Sequence, residues 1–430
     1  MENKKAYIVA VDMGYGHQRA AFPLIKFADT PEEWHLTQPI VISANNYPNI
    51  PKKDKKKWYQ VQKLYEGISR LNGFPIFGKT IFHIMDYFQK IEDFYPRRDL
   101  SKPNFEAKQS HKMISKGLGK HLIETLNKKP LPLICTFPIP ALFAEAHGYK
   151  GEIYCLCTDT DIARAWVALK PKESRITYLA PTIRAKERLM LYGVRPEKII
   201  VTNFPIPDCS SLSILQRRIT KLDPLGIFRE QYKDLLSLYV WKEKATDLVN
   251  KPLTISYAVG GAGAQWKTGV TIIKSLQEQI KNGEIQLNLV AGTSKKILRR
   301  FEKALKKMKL ETYRDRGVSI IYRPEKFEYF TEFSKVLRDT DILWTKPSEL
   351  SFYAGLGLPI IMTPPLGAQE EYNKTWLHMI GAGFEEYNPK YVNEWLPDWL
   401  KSSWLAEAAI NGYLNAPKNA VDNIEKIISK

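Results

Sequence analysis

Short apolar segments alternate with helix-like segments along both halves of this chain, and no other feature constrains its fold as strongly. The strands predicted in the first half are 6–12, 40–43, 133–137, 152–158, 175–179 and 198–202. Helical segments follow several of them, including one over 17–28 and one that begins at Pro181, a residue that suits the first turn of a helix. Strands joined through helices form a parallel sheet. The first half is therefore predicted to be an α/β domain.

The second half repeats this alternation after a stretch without strand signals. Its predicted strands are 253–259, 285–291, 318–321, 342–345 and 359–363. A chain of 430 residues also exceeds one ordinary hydrophobic core, so two domains are expected. The predicted N-terminal domain covers 1–208 and contains an aromatic-rich insertion at 47–129. A helical connector over 209–250 leads to a C-terminal domain over 251–385. The C-terminal helices over 386–430 are predicted to cross back to the first domain, and no clear strand is expected from Phe384 onward.

A histidine follows the first predicted strand, in the turn Gly14-Tyr15-Gly16-His17. Open α/β folds bind ligands at the carboxyl edge of the sheet, so an imidazole at this point is well placed to act as a base. Gly14 and Gly16 let the backbone approach a ligand closely, and the N–H groups of a helix start favour an anion. Short glycine motifs also arise by chance. The alternative, in which the turn only connects strand to helix and His17 caps it, stays open.

A run of glycines occupies the same position in the second half, between a strand and a helix. Gly260, Gly261 and Gly263 permit close approach to a phosphate, and the helix start supplies N–H donors. The run lacks the Gly-Lys-Ser/Thr ending of a Walker A loop, and no acidic residue closes the next strand as in a dinucleotide fingerprint. A phosphate-binding turn is one interpretation, and a plain tight turn is the other.

Polar residues follow two later strands of the second half. Lys346 and Glu349 come after the fourth strand, where Glu349 is placed to hold ribose hydroxyls. In the alternative interpretation, Ser348 caps the next helix and Glu349 only suits its first turn. Gln369 and Glu370 begin the helix after the fifth strand, and an amide and a carboxylate there suit bidentate hydrogen bonds to sugar hydroxyls.

Two acidic residues, Asp159 and Asp161, end a strand of the first half, with Arg164 and Trp166 close behind. Carboxylates at this edge of the sheet are placed to orient His17 or to bind an acceptor. Equally, Asp161 is a residue type that caps short helices.

The net charge of +18 favours anionic partners, since a strongly basic surface attracts nucleic acid, anionic membranes and acidic ligands. Lysines cluster at 52–57 and along 295–309, and the second cluster has apolar residues at helical spacing, which is typical of a helix with a solvated basic face. Neither zinc-finger spacing nor an RNA-binding aromatic signature accompanies these clusters, so nucleic acid is not expected as a partner. An anionic membrane surface remains as a candidate partner.

The chain lacks the sequence features of a secreted or membrane-spanning protein. No apolar run is long enough to span a bilayer, and the first residues contain no secretory apolar core. The four cysteines show no metal-ligand spacing, and Cys155 and Cys157 are expected to be buried thiols. These features predict a cytoplasmic protein without a metal site, with a peripheral position on the inner face of the membrane as an open alternative.

Taken in this order, the motifs resemble glycosyltransferases of the GT-B fold, and family 28 in particular. That family includes monogalactosyldiacylglycerol synthases and the N-acetylglucosaminyltransferase that makes lipid II. The turn that carries His17 is similar to the family's Gly-Gly-Gly-His turn, whose histidine is taken as the acceptor-activating base. The segments that carry the resemblance are Gly14–His17, Thr158-Asp159 with Trp166, residues 178–202, Thr345-Lys346, residues 357–361, and Gly367 with Gln369-Glu370.

The resemblance implies two Rossmann-like domains that face an inter-domain cleft. It also implies the transfer of a sugar from a nucleotide diphosphate sugar, with uridine diphosphate (UDP) expected as the nucleotide, to an acceptor hydroxyl on a lipid or a small molecule. His17 would take the acceptor proton, and Asp159 would steer His17. No tightly bound cofactor is implied, because the nucleotide sugar is a donor substrate.

On the donor side, the resemblance implies that the glycine turn faces the diphosphate and that backbone donors, rather than a metal, stabilise the departing charge. The donor-side residues are Gly260, Gly261 and Gly263 with Lys346, Glu349 at the ribose, and Gln369 and Glu370 at the sugar hydroxyls. The chain departs from the family where Phe352 stands in place of an acidic residue.

Two other functions stay open on the same fold. One is a nucleotide-sugar epimerase or hydrolase, which would release nucleotide or an altered sugar without an acceptor. The other is a non-catalytic protein that binds a nucleotide sugar, which would bind the nucleotide without turnover.

Overall fold

The computed structural model describes residues 5–60, 91–240, 251–260, 263, 265–416 and 418–429. Residues 61–90 of the predicted insertion, residues 241–250 of the predicted connector, and Gly261 lie outside the described residues. The chain forms two compact units. The first comprises Met1–Ile206, Leu366–Asn373 and Lys418–Lys430, and the second comprises Pro207–Pro365 and Lys374–Pro417.

The first unit is built on a six-stranded sheet. Its strands are β1 (Tyr7–Ala10), β2 (Ile42–Ser43), β3 (Leu133–Cys135), β4 (Ile153–Leu156), β5 (Thr177–Ala180) and β6 (Ile199–Val201). They lie in the order β2-β1-β3-β4-β5-β6, and every neighbouring pair is parallel. Strand residues such as Ile8, Ile134 and Leu156 are completely buried, because helices cover both faces of a parallel sheet. Cys155 and Cys157 are buried free thiols, as predicted.

Helices connect these strands. They are α1 (Gly16–Ala21), α2 (Phe105–Ser115), α3 (Lys120–Leu126), α4 (Pro138–Ala146) and α5 (Ile183–Leu191), with 3-10 turns at Phe22–Phe27, Glu32–Trp34, Arg164–Trp166 and Pro196–Lys198. Residues 52–60 are also helical. The prediction of one continuous helix over 17–28 is wrong, since the α-helix ends at Ala21 and a 3-10 turn follows. Pro23 explains this, because proline lacks the N–H that an α-helix interior needs and its ring clashes with the preceding turn.

The second unit is built on another six-stranded sheet. Its strands are β7 (Leu253–Ala258), β8 (Ile285–Gly292), β9 (Val318–Tyr322), β10 (Ile342–Thr345), β11 (Ile360–Met362) and β12 (Gly383–Glu385). They lie in the order β12-β11-β10-β7-β8-β9, and every neighbouring pair is parallel. Two such doubly wound sheets confirm the predicted α/β class with two Rossmann-like domains, the domain type of GT-B proteins.

One prediction for the second unit is wrong. Residues from Phe384 onward were expected to contain no strand, yet Phe384 lies in β12, where it pairs with Ile361 of β11. The strand has only three residues at the edge of the sheet, and a segment that short gives no periodic signal in the sequence.

The helices of the second unit follow the same alternation. They are α6 (Leu212–Leu222), α7 (Ile227–Gln231), α8 (Lys233–Tyr239), α9 (Trp266–Ser275), α10 (Gln277–Lys281), α11 (Lys295–Lys307), α12 (Lys326–Asp339), α13 (Ala368–Met379), α14 (Val392–Lys401) and α15 (Trp404–Asn415), with 3-10 turns at Glu311–Tyr313, Glu349–Leu356 and Pro389–Tyr391. The α13 residues before Lys374 group with the first unit, as does the last helix, α16 (Ala420–Ile428). Among the described residues, no helix is long and apolar enough to cross a membrane.

A buried ion pair joins the loop after β4 to α5 in the first unit. Arg188 donates from Nε to Asp161 Oδ1 at 2.8 Å and from Nη2 to Asp161 Oδ2 at 2.9 Å. Both side chains are almost completely buried, and Arg184 adds a third contact to the same carboxylate at 3.2 Å. Asp161 therefore does not cap the 3-10 turn at Arg164–Trp166, whose N-terminal flanking residue is Ala163. Its role is to neutralise a buried guanidinium.

We expect Arg188→Met to lower the free energy of unfolding by about 3–5 kcal/mol, because it removes two charged hydrogen bonds from the buried Asp161 carboxylate and leaves Arg184 as its remaining cationic contact. Urea denaturation measures this loss. The control is Arg195→Met, whose ion pair with Glu197 is solvent-exposed, and there the change should stay below about 1 kcal/mol. The pair Asp161→Leu and Arg188→Leu together should recover much of the loss. Equal, small effects of the two arginine variants would contradict this account.

Candidate functional site

The order of the strands creates a switch point in each sheet. In the first unit the chain moves from β1 to β2 on one side and then to β3 on the other side of β1. In the second unit it moves from β7 through β8 to β9 and then to β10 on the other side of β7. Loops on either side of such a reversal diverge, and ligands of open α/β sheets bind in the crevice between them. The loops after β1 and β3, and those after β7 and β10, are therefore the candidate sites.

His17 lies at the switch point of the first unit. Strand β1 ends at Ala10, whereas the predicted strand continued to Asp12. The Asp12 N–H donates a hydrogen bond to Asn45 Oδ1 at 2.7 Å and not to a neighbouring strand. The helix α1 then begins at Gly16. His17 Nδ1 lies 2.8 Å from the Thr136 carbonyl oxygen, and the Thr136 hydroxyl donates to the His17 carbonyl oxygen at 2.8 Å. The side chain and the backbone of His17 are thus both held by the loop after β3.

The contact with Thr136 fixes the chemistry of the imidazole. A carbonyl oxygen can only accept a hydrogen bond, so Nδ1 carries the hydrogen and Nε2 carries the lone pair. Thr158 Oγ1 lies 3.3 Å from the same Nδ1 atom. Phe137 meets the ring edge-on with the centroids 4.6 Å apart, and the Trp166 ring centroid lies 6.2 Å away. His17 is therefore a half-buried, oriented imidazole whose proton-accepting atom is Nε2.

Asp159 is held by a residue from a distant part of the chain. Its Oδ1 accepts a hydrogen bond from Asn373 Nδ2 at 3.0 Å. The Asn373 Oδ1 atom accepts from the Thr160 N–H at 3.0 Å and from its hydroxyl at 2.8 Å, and Asn373 is completely buried. This docks the segment Leu366–Asn373 on the loop after β4. The His17 Nδ1 partners described above are Thr136 and Thr158, so the steering role of Asp159 stays a prediction.

Gly260 and Lys346 meet at the switch point of the second unit. A Cβ atom on Gly260 would lie 2.9 Å from Lys346 Cε, which is closer than carbon atoms approach. The lysine side chain therefore crosses the Gly260 backbone, and a glycine leaves it room to do so. A positive charge beside a glycine turn at a switch point is an arrangement that suits a phosphate group. Gly263 adopts a left-handed conformation (φ 71°) in the same turn.

Gln265 is a site residue to which the sequence analysis assigned no role. Its backbone is left-handed (φ 63°) at the position before α9. Its Oε1 accepts from the Thr363 hydroxyl at 2.9 Å, and its Nε2 donates to the Pro364 carbonyl oxygen at 2.9 Å. The side chain thus ties the glycine turn after β7 to the loop after β11. Only its place at the end of the glycine run could have drawn attention to it.

Glu349 lies at the same edge of the second sheet. Only 8% of it is exposed, and it begins the 3-10 turn Glu349–Leu356, whose eight residues are all buried. Ser348 makes no side-chain hydrogen bond to this turn, so the interpretation of Ser348 as a helix cap is wrong. Phe352, at the position of the family's acidic residue, packs on Trp376 with the ring centroids 5.2 Å apart. A role of Glu349 at a ribose stays a prediction.

Gln369 and Glu370 lie in the segment that groups with the first unit. Glu370 Oε2 accepts a hydrogen bond from the Leu366 N–H at 2.8 Å, which stabilises the start of its own helix. Gln369 is half-buried. In the same segment, the Tyr372 ring packs against the core of the first unit. The structure thus groups Gln369 and Glu370 with His17 and places Gly260 and Lys346 in the other unit, so their role at the sugar hydroxyls stays a prediction.

Glu386 is a second residue without a role from the sequence. It follows β12, and its Oε2 accepts a hydrogen bond from Trp344 Nε1 at 2.7 Å. Trp344 precedes Lys346 by two residues in the chain. Burial raises the pKa of Glu386 to about 7, although the hydrogen bond from Trp344 lowers it. The carboxyl group is therefore partly protonated near neutral pH. The acidic pair Glu385-Glu386 was the available signal, but it falls where no strand was predicted.

Metal-ligating side chains do not gather at these sites. Within the described part of the chain, no group of three or more histidine, cysteine, aspartate or glutamate residues is arranged to hold a metal ion.

Comparison with known proteins gives matches to a family model and to solved structures. Residues 244–403 match a family model described as a domain of unknown function, DUF6938. No curated protein matches the sequence at a significant level.

Three of the similar solved structures cover most of this chain. The MnaA–UDP structure from S. aureus is 12% identical, covers 98% of this chain and 94% of its own, and has a TM-score of 0.49. A Neisseria meningitidis UDP-GlcNAc 2-epimerase bound to UDP-GlcNAc is 14% identical, covers 77% of this chain and 82% of its own, and has a TM-score of 0.43. A glycosyltransferase from Rickettsia africae is 14% identical, covers 100% of this chain and 99% of its own, and has a TM-score of 0.42.

The contact between His17 and Thr136 predicts the tautomer of the neutral imidazole. We expect the hydrogen on Nδ1, with Nε2 unprotonated, in ¹⁵N-detected NMR spectra of the histidine-labelled protein at alkaline pH. His147 serves as an internal control, because its Nε2 lies 2.9 Å from the Leu118 carbonyl oxygen and should carry the hydrogen instead. A neutral His17 with the hydrogen on Nε2 would show that the Thr136 contact does not set the tautomer.

Proposed function

We propose that this protein transfers a sugar from a nucleotide diphosphate sugar, with UDP as the nucleotide, to an acceptor hydroxyl. The observation that carries the proposal is the oriented imidazole of His17 at a sheet switch point. A connecting turn needs no histidine whose Nδ1 is bonded to a carbonyl oxygen and whose Nε2 is left as the basic atom. The Gly260–Lys346 arrangement at the second switch point supports the donor half of the proposal.

On the donor side, the ammonium group of Lys346 and the backbone N–H groups of the glycine turn bind the diphosphate. As the bond between the anomeric carbon and the phosphate oxygen breaks, negative charge grows on that oxygen. Fixed donors and a fixed positive charge stabilise it without reorganisation, which is the general basis of electrostatic catalysis. Glu349 contacts the ribose in this proposal, and Gln369 and Glu370 bind the sugar hydroxyls.

On the acceptor side, His17 Nε2 removes the proton of the acceptor hydroxyl as its oxygen bonds to the anomeric carbon. The imidazolium that forms keeps its Nδ1–H directed at the Thr136 carbonyl oxygen, so the positive charge is stabilised where it develops. Asp159 adds negative charge on the loop after β4. The resemblance to family 28 extends the proposal to a lipid-linked or small-molecule acceptor.

Two variants test the acceptor side and the donor side of the proposal separately. His17→Ala should lower transfer by about 10²–10⁴-fold and leave the Kd for UDP within about twofold, because His17 acts on the acceptor proton and not on the nucleotide. Lys346→Ala should weaken UDP binding by about 10–100-fold, since it removes a charged hydrogen-bond donor. Calorimetry with UDP and turnover with UDP-hexoses measure the two quantities. His111→Ala, at an exposed position on α2, is the control.

Three outcomes would overturn the proposal. Unchanged turnover in His17→Ala would remove His17 from the mechanism. An altered sugar, or free sugar with UDP, formed at full rate without any acceptor would favour the epimerase or hydrolase reaction instead. Tight UDP binding with no turnover over an acceptor panel would identify a binding protein.

A further inference from the structure

The helix α11 (Lys295–Lys307) carries seven lysines and arginines, and the proposed reaction uses none of them. Six of its thirteen residues are exposed lysines or arginines. They are Lys295, Lys296, Arg299, Lys303, Lys306 and Lys307. We call this set the basic face.

The basic face lies on one side of the helix. At 100° per residue, its six residues fall within an arc of about 120°, along a helix about 20 Å long. The opposite side is buried, and Ile297, Phe301 and Leu305 pack in the core of the second unit. Ser294 caps the helix by accepting a hydrogen bond from the Ile297 N–H. The cations are therefore presented by a rigid helix that is anchored to the sheet.

Neighbouring acids neutralise little of this charge. Glu302 is the one acidic residue of α11, and it lies at the edge of the face, where it pairs with Arg314 at 3.8 Å. Arg300, just outside the face, places its guanidinium over the Trp266 ring at 4.3 Å. Within the described residues, none of the six cations has a carboxylate at ion-pair distance. Like charges held together in this way repel one another, and an anionic surface that binds them relieves this repulsion.

We propose that the basic face docks this protein on an anionic lipid surface. The lysine and arginine side chains project from one side of the helix, which fits the negative potential of a layer of acidic headgroups. The exposed residues of the face are all charged, so the helix adsorbs at the headgroups and does not insert into the bilayer. Binding is consequently electrostatic and screened by salt. The proposal is independent of the reaction at His17 and Lys346.

A lipid surface fits these residues better than a nucleic acid does. Single-stranded nucleic acids are bound through aromatic side chains on which bases stack, and no aromatic residue lies on the basic face. Bases in a duplex are read mainly by arginine, lysine, asparagine and glutamine side chains in a groove. The basic face contains five lysines, a single arginine and no asparagine or glutamine. A uniform lysine-rich face responds to diffuse charge instead.

Vesicle co-sedimentation of the full chain tests the proposal. The probes are vesicles of equal parts phosphatidylglycerol and phosphatidylcholine, and vesicles of phosphatidylcholine alone. The face variant combines Lys296→Gln, Arg299→Gln, Lys303→Gln and Lys307→Gln. The control combines Lys52→Gln, Lys53→Gln, Lys55→Gln and Lys56→Gln, which removes the same charge from four exposed lysines of the first unit. Circular dichroism and the thermal midpoint establish that both variants fold.

We expect the unaltered protein to bind the anionic vesicles at about 0.05 M salt and to be released at about 0.5 M. The face variant should bind at least about tenfold more weakly, whereas the control should stay within about twofold of the unaltered protein. Equal losses in both variants would overturn the proposal, because net charge alone would then explain binding. Binding that persists at high salt would also overturn it, since it requires insertion. Binding to a single-stranded RNA oligonucleotide is measured in parallel, and a face variant that loses RNA binding while its vesicle binding is unchanged would assign the face to nucleic acid instead.

Discussion

The hydrogen bond between His17 Nδ1 and the Thr136 carbonyl oxygen is the contact on which the proposed chemistry depends. It arises from the sheet itself, because β1 and β3 pair in parallel with Val9 opposite Cys135, so the residues that follow the two strands come level. The backbone partner leaves the imidazole no choice of tautomer. It also stabilises the imidazolium that forms when Nε2 takes a proton, since the carbonyl oxygen continues to accept the Nδ1–H.

In the second unit, parallel strand pairing also brings two loops together, with different residues. Strands β7 and β10 pair with Ala258 opposite Thr345, so Lys346 emerges beside the glycine turn. The missing side chain of Gly260 then lets the lysine lie across the backbone. In both units, a reversal of strand order brings together two loops that are far apart in sequence. The pairing register of the strands determines which residues meet in these loops, and those residues determine the chemistry of each site.

Much of the fold could be predicted from the sequence, for a physical reason. Parallel strands are buried on both faces and are therefore apolar throughout, and the turns at their carboxyl ends contain the glycines and the histidine that mark a ligand edge. Positions such as His17, Gly260 and Lys346 can thus be assigned to that edge. The contacts themselves could not be predicted, because Thr136 lies 119 residues from His17 and its carbonyl oxygen leaves no trace in the sequence.

Other features depend on conformation or on distant packing. The left-handed backbone of Gln265 is unusual for its residue type, so its link to Thr363 and Pro364 has no sequence signal. Asn373 reaches Asp159 across 214 residues, and β12 is too short to show a period. By contrast, the break at Pro23 follows directly from proline chemistry and was predictable from the sequence.

The most direct test of the central claim is a crystal structure of the protein with UDP. The account predicts the diphosphate at the switch point of the second unit, with its oxygens about 2.7–3.2 Å from Lys346 Nζ and from backbone N–H groups of the turn that begins at Gly260. It also predicts no phosphate contact with His17. A diphosphate bound at the His17 turn, or one away from both Gly260 and Lys346, would contradict the assignment of the acceptor to the first unit and of the nucleotide to the second.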